Sequence, residues 1–229
     1  MQPLILLHGA IGSSAQLGKL SRELSRSFRV YVPDLAGHGS REMPIEPFSI
    51  RLFADDILRF MEREQIAQAP VFGYSMGGYV GMYLARRHPE KISKVITLAT
   101  KYQWSEEIAA KEIKMLDPDK IEQKLPAFAE VLRERHLPND WKEVLYKTAE
   151  MMTGLGRDNA LKEHDYATVA CRVLLLLGDR DKMVSLEETI AVYRALPDGQ
   201  MGMLPHTPHP IEQVNTAMLA FHIEQLIGV

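Results

Sequence analysis

Short apolar runs alternate with amphipathic stretches along the first hundred residues. Leu4 to Leu7 is a continuous apolar run ended by His8-Gly9, which reads as a strand. Leu17, Leu20 and Leu24 then recur at helical spacing within Ser13 to Phe28. Arg29 to Val32 is a second strand, stopped by Pro33, and the loop Asp34 to Ser40 follows. Ser49 is placed to cap a helix in which Leu52, Phe53, Asp56, Ile57, Phe60 and Met61 alternate faces. Pro70 to Phe72 predicts a third strand, Met76 to His88 a helix ended by Pro89, and Val95 to Leu98 a fourth strand.

From Lys101 to Thr168 no strand run appears. Here 25 of 68 positions are charged, against 32 of the other 161, so solvated helical faces dominate. The segment reads as amphipathic helices broken at Pro118, Pro126, Pro138 and Gly154/Gly156. Alternation then resumes: a strand over Arg172–Leu177, a helix over Ser185–Leu196, a strand over Gln200–Leu204 and a closing helix over Pro210–Ile227. Continuous apolar strands between helices imply a parallel sheet covered on both faces. The expected organisation is one α/β domain, residues 1–100 and 169–229, with residues 101–168 inserted as a helical cap.

A chain of 229 residues can bury a sizeable core without staples. The net charge of −3 gives no support to nucleic-acid binding. The single cysteine, Cys171, excludes an intrachain disulfide and a cysteine-based zinc cluster. No apolar run exceeds five residues, the length of Val173 to Leu177, which is far short of a membrane span, and the opening residues lack the marks of a secretory signal. A cytoplasmic protein with no nucleic-acid or membrane partner is the expectation.

The strongest chemical signal is Gly73-Tyr74-Ser75-Met76-Gly77-Gly78, between a predicted strand and a predicted helix. That context gives G-x-S-x-G its meaning. A sharp turn lifts the serine hydroxyl above the sheet, and the Met76 N–H at the helix start faces a developing oxyanion. A serine nucleophile needs a base and a group to orient that base. In open α/β sheets sites form at the carboxyl ends of strands. Gly178-Asp179-Arg180-Asp181 follows the fifth strand, and Pro205-His206-Thr207-Pro208-His209-Pro210 follows the sixth. The chain order is therefore Ser, Asp, His.

These segments, with Leu6 to Gly9, Pro33 to Ser40 and Arg87 to Ile92, make the chain resemble the α/β-hydrolase superfamily, in its esterase and lipase-like branch with a helical cap. The resemblance implies an acid three residues after Gly178, which selects Asp181 and leaves Asp179 to cap the turn. It implies His209 as base, with His206 a loop or pocket residue. It also implies the N–H of Ala10, after the His8-Gly9 turn, as the second oxyanion donor beside Met76. Family members commonly begin with two extra strands, one antiparallel. Seven residues precede His8, so the expected sheet is six-stranded and all parallel, with 29–32 at an edge.

The implied activity is that of a serine carboxylesterase acting on a small ester or thioester, with no metal and no cofactor. A lyase or carbon–carbon hydrolase with the same residues, like a synthase of menaquinone biosynthesis, is a second reading. A ligand receptor on this fold is a third. Trp104 and Trp141 either line a substrate pocket under the cap or pack its core. His8 and His38 read as turn residues, Arg86-Arg87-His88 as a solvated helix end and Cys171 as inert.

Overall fold

A computed structural model of the chain describes residues 1–228. Its six strands are β1 (Pro3–Leu7), β2 (Arg29–Tyr31), β3 (Ala69–Tyr74), β4 (Ile92–Leu98), β5 (Arg172–Gly178) and β6 (Gly199–Leu204). They form one all-parallel sheet in the order β2-β1-β3-β4-β5-β6. The expected parallel sheet is present, with β2 at an edge. At three residues β2 offers few unpaired backbone groups to another chain.

Successive strand residues point to opposite faces, so each strand feeds two cores. Leu4 and Leu6 join Leu20, Leu24, Leu219 and Ile223 beneath helices α1 (Gly18–Leu24) and α10 (Thr216–Ile227). Ile5 and Leu7 join the opposite core under α2 (Ile50–Arg63), α3 (Met76–Arg87) and α9 (Leu186–Ala195). Leu6 is fully buried, and Leu6→Ala would cost about 2–5 kcal/mol. The Ser49 Oγ accepts from Leu52 N at 3.0 Å, capping α2 as its sequence suggests. The closing helix starts later than expected. Asn215, not Pro210, caps α10, its side chain accepting from Met218 N at 3.0 Å.

Between β4 and β5 lie α4 (Glu106–Glu112), α5 (Pro118–Lys124), α6 (Pro126–His136), α7 (Trp141–Arg157) and α8 (Glu163–Tyr166). Pro118 and Pro126 open their helices, where a missing N–H costs nothing. Gly154 and Gly156 do not break the segment, because α7 runs through both. A Cβ at Gly156 would meet Ala109 Cβ and the Ser105 carbonyl at 2.8 Å, so this glycine lets α4 lie close against α7. The segment has its own core of Leu116, Ile121, Ala129, Leu132, Trp141 and Leu145.

The same segment is fastened to the loops of the sheet. Asn139 Nδ2 donates to the Arg41 carbonyl at 2.6 Å, and Lys147 Nζ to the Pro44 carbonyl at 2.8 Å. Arg135 Nη1 and His136 Nε2 both donate to the Ile11 carbonyl, each at 3.0 Å. Arg86, read from sequence as solvated, instead pairs with the buried Asp165 carboxylate at 3.0 Å. A buried carboxylate needs a partner, and α3 supplies it.

Candidate active site

Strand order reverses between β1 and β3, since the chain runs outward to β2 before crossing back. Crevices open at such a switch point, beyond the carboxyl ends of the strands. Ala10 follows β1 there, and Ser75 follows β3.

Ser75 has φ +51° and ψ −117°, a conformation side chains other than glycine rarely adopt. Its neighbours hold it there. Ser75 N donates to the Leu98 carbonyl at 2.8 Å, and the Ser75 carbonyl accepts from Thr100 Oγ1 and Gly78 N, both at 3.0 Å. The turn closes only because its glycines lack side chains. A Cβ at Gly73 would lie 2.3 Å from Gly77 backbone atoms, and one at Gly77 would lie 2.4 Å from the Leu7 carbonyl oxygen. Strain imposed at one residue by surroundings this tight is typical of a functional position.

Asp181 and His209 meet across 28 residues of sequence, Nδ1 of the imidazole donating to Asp181 Oδ2 at 2.7 Å. The carboxylate is 1% exposed, and its other oxygen accepts from Met183 N at 2.8 Å and Val184 N at 2.9 Å. Burial works against its charge. The hydrogen bond and charge of His209, with the two backbone donors, outweigh that and hold its pKa below the ordinary carboxylate value. With Nδ1 committed, His209 Nε2 is left to exchange a proton with a group in front of it.

The loop that delivers His209 is braced against the end of β5. Thr207 N donates to Asp179 Oδ1 at 3.0 Å, and Arg180 N donates to the Thr207 carbonyl at 3.1 Å. Asp179 thus tethers this loop, and His206 is exposed beside Arg180 Nη2 at 2.6 Å. Neither reaches the crevice.

Ser75, Met76, Ala10 and His209 line one chamber of about 50 Å³. Ser75 and His209 are not hydrogen-bonded to each other, which is common before a substrate tightens a site. Among the described residues neither the Ala10 nor the Met76 N–H donates to a backbone carbonyl outside regular elements, so both can serve a ligand. Trp104 lines the chamber too. Trp141 does not: it is 3% exposed in the core of the helical segment, where Lys142 extends over its ring. A wider groove of about 550 Å³ meets the chamber at Ser75 and His209 and runs past Tyr74, Pro210 and Glu212.

Sequence reading missed most of the chamber wall. Met151, Met152 and Leu155 come from α7, Met183 from the turn after Asp181, and Ile50 from the start of α2. Lys101 and Glu112 are the charged residues of the lining; Lys101 Nζ lies 3.6 Å from Glu112 and 3.7 Å from Glu188. The i, i+4 spacing of Met151 and Leu155 marks one helix face, but that signal does not separate a cavity wall from ordinary core.

His8 and His38, expected at turns, are fully buried, and so is His136. Leu35 N donates to His8 Nε2 at 3.1 Å, leaving Nδ1–H to donate to the Gly9 carbonyl at 2.8 Å. The rings of His8 and His136 lie 5.2 and 5.8 Å from that of His38. Burial drives all three below the usual histidine pKa, His136 to about 4. They are neutral packing groups beneath the Ala10 loop. Burial also raises the Cys171 thiol to about 11, which keeps it protonated near neutral pH.

Curated relatives match less than half of the chain. Ethanol acetyltransferase 1 of Kluyveromyces lactis is 31% identical over 94 residues, 40% of this chain and 25% of that protein. The 2-hydroxymuconate semialdehyde hydrolase of Pseudomonas sp. (strain CF600) is 29% identical over 102 residues, 43% of this chain and 36% of that protein. These matches thus span only about a quarter to a third of the relatives' length. The crystal structure of an enol-lactonase from Burkholderia xenovorans LB400 superposes with a TM-score of 0.80 at 22% identity, covering 100% of this chain and 92% of that one. Among the described residues no helix is long and apolar enough to cross a membrane. Residues 2–153 match the family described as alpha/beta hydrolase fold, and the sheet runs through that region and beyond it to β6, so the chain belongs to the α/β-hydrolase family.

Proposed function

We propose that the protein is a serine hydrolase that transfers the acyl group of a small carboxylic ester or thioester to water. The observation that carries this reading is the 2.7 Å Asp181–His209 bond beside a serine held at φ +51° on the same chamber. Ser75 Oγ attacks the carbonyl carbon while His209 Nε2 takes its proton. The oxyanion is received by the N–H groups of Ala10 and Met76. His209 returns the proton to the leaving oxygen or sulfur, freeing the acyl-enzyme. Water then attacks with His209 again as base, and Ser75 leaves with the proton. Asp181 keeps the imidazole in the tautomer that presents Nε2 and stabilises its cation.

A lyase or carbon–carbon hydrolase acting on an anionic substrate has less support. Lys101, the cation of the chamber wall, is already shared between two carboxylates. The test is turnover of an aryl acetate together with labelling by a fluorophosphonate, in wild type and Ser75→Ala. Turnover and labelling that both vanish in the variant are expected. Saturable ligand binding without turnover or labelling would make the protein a receptor instead.

A further inference from the structure

The two cavities that meet at Ser75 differ about tenfold in volume, about 50 against 550 Å³. Resting on the hydrolase reading, we infer that the chamber takes the acyl group and the groove takes the leaving group. The wall formed by Ile50, Met151 and Leu155 then restricts the acyl group to a short chain.

The assignment of sides follows from the proton. His209 must deliver it to the leaving atom, so the leaving group lies on the His209 side. Tyr74, Pro210 and Glu212, the surroundings of that histidine, line the groove and not the chamber. The chamber extends the other way, toward Met76 and Tyr79 at the start of α3. An acyl chain attached at Ser75 has only that direction left.

The length limit follows from volume. At about a tenth of the groove's volume, the chamber has room for a short chain only. The wall that ends it is one side chain thick. Ile50, Met151 and Leu155 also line a cleft of about 370 Å³ on their far side, open toward Pro47, Tyr83 and Gly154. Shortening Met151 therefore joins the chamber to that cleft and gives a long chain a way out. The acyl group is also neutral. Lys101 between Glu112 and Glu188 leaves one negative charge in excess, which repels an acyl carboxylate.

The experiment compares kcat/KM for the 4-nitrophenyl acetate, butyrate, octanoate and monosuccinate esters in wild type, Met151→Ala and Leu155→Ala. Wild type should favour butyrate over octanoate by tenfold or more, and over the succinate by a similar factor. Each truncation should raise the octanoate-to-butyrate ratio at least tenfold. If either alanine variant fails to fold, Met151→Val and Leu155→Val read the same ratio with a smaller shift. Octanoate turned over as well as butyrate by wild type overturns the inference, as does a ratio that the truncations leave unchanged. Succinate preferred over butyrate overturns the neutral-acyl assignment. An enzyme that hydrolyses none of these esters removes the inference as well. Fluorophosphonate labelling of Ser75 then decides whether the nucleophile survives.

Discussion

Ser75 and Trp104 line the same chamber but reach it by different means. Ser75 stands on the sheet, in a turn that admits glycine alone at positions 73 and 77 and is held by hydrogen bonds from three directions. Trp104 belongs to the stretch between β4 and β5, where the wall is a set of apolar side chains from separate helices. In the first region the backbone dictates which residue is allowed. In the second, many apolar residues of suitable volume would serve. Reaction chemistry is thereby tied to a few positions, and the shape of the substrate space is spread over many.

The largest effects should come from the sheet side. Ser75→Ala, His209→Ala and Asp181→Asn should each lower ester turnover by about a thousandfold or more with little change in melting temperature. The double variant Ser75→Ala/His209→Ala should be no worse than about the worse single one. Steady-state kinetics on one good ester decides it, and full activity in Ser75→Ala would sink the acyl-enzyme mechanism.

The helical side should respond in stability and in selectivity. Trp141→Ala removes a buried indole and should cost about 3–5 kcal/mol in a urea melt. Substrate preference per folded molecule should not change. Trp104→Ala should do the reverse, altering the ester profile with a smaller loss of stability. Identical profiles for both variants would erase the distinction between wall and core.

Acid should loosen the joint between the regions. His8 and His38 from the sheet loops, and His136 from α6, are held neutral, so the unfolded chain binds protons that the folded chain refuses. Stability is then complete above about pH 6.5 and declines as pH falls toward about 4, the folded value of His136. The slope is up to about 1.4 kcal/mol per pH unit for each histidine. His136→Gln should flatten the part of the curve between those limits, measured by chemical denaturation at stepped pH. An unchanged curve would mean that His136 takes no part.

The smallest effects belong to the two residues near the site that do not enter it. His206→Ala and Asp179→Asn should change turnover by no more than about tenfold, about 1.4 kcal/mol in the barrier. A dead His206→Ala beside an active His209→Ala would move the base to position 206.

The six parallel strands, the elbow at Ser75 and the meeting of Asp181 with His209 could be anticipated because each leaves a local mark in the sequence. A parallel strand is a short apolar run, and a turn this tight demands glycines at fixed offsets. The loops after β5 and β6 open at the same end of the sheet as the elbow, because all six strands run parallel. The chamber left no such mark. Met151 and Leu155 sit at the same spacing as any buried helix face, and Lys101 becomes a pocket residue only through the path of one loop. Glycine was misleading within α7, since Gly156 answers a contact with α4 rather than a turn. Histidines 8 and 38 do stand at turns, as their loop pattern suggests, but that pattern carries no sign of their full burial.

The Ile11 carbonyl, which accepts from both Arg135 and His136, lies one residue beyond Ala10. Lifting α6 from the sheet breaks both bonds or carries the Ala10 loop with it. Whatever fixes that loop in the crevice therefore favours the docked helix, and whatever docks the helix favours the fixed loop, by equal free energies. Docking of α6 and the position of the Ala10 loop form one linked equilibrium.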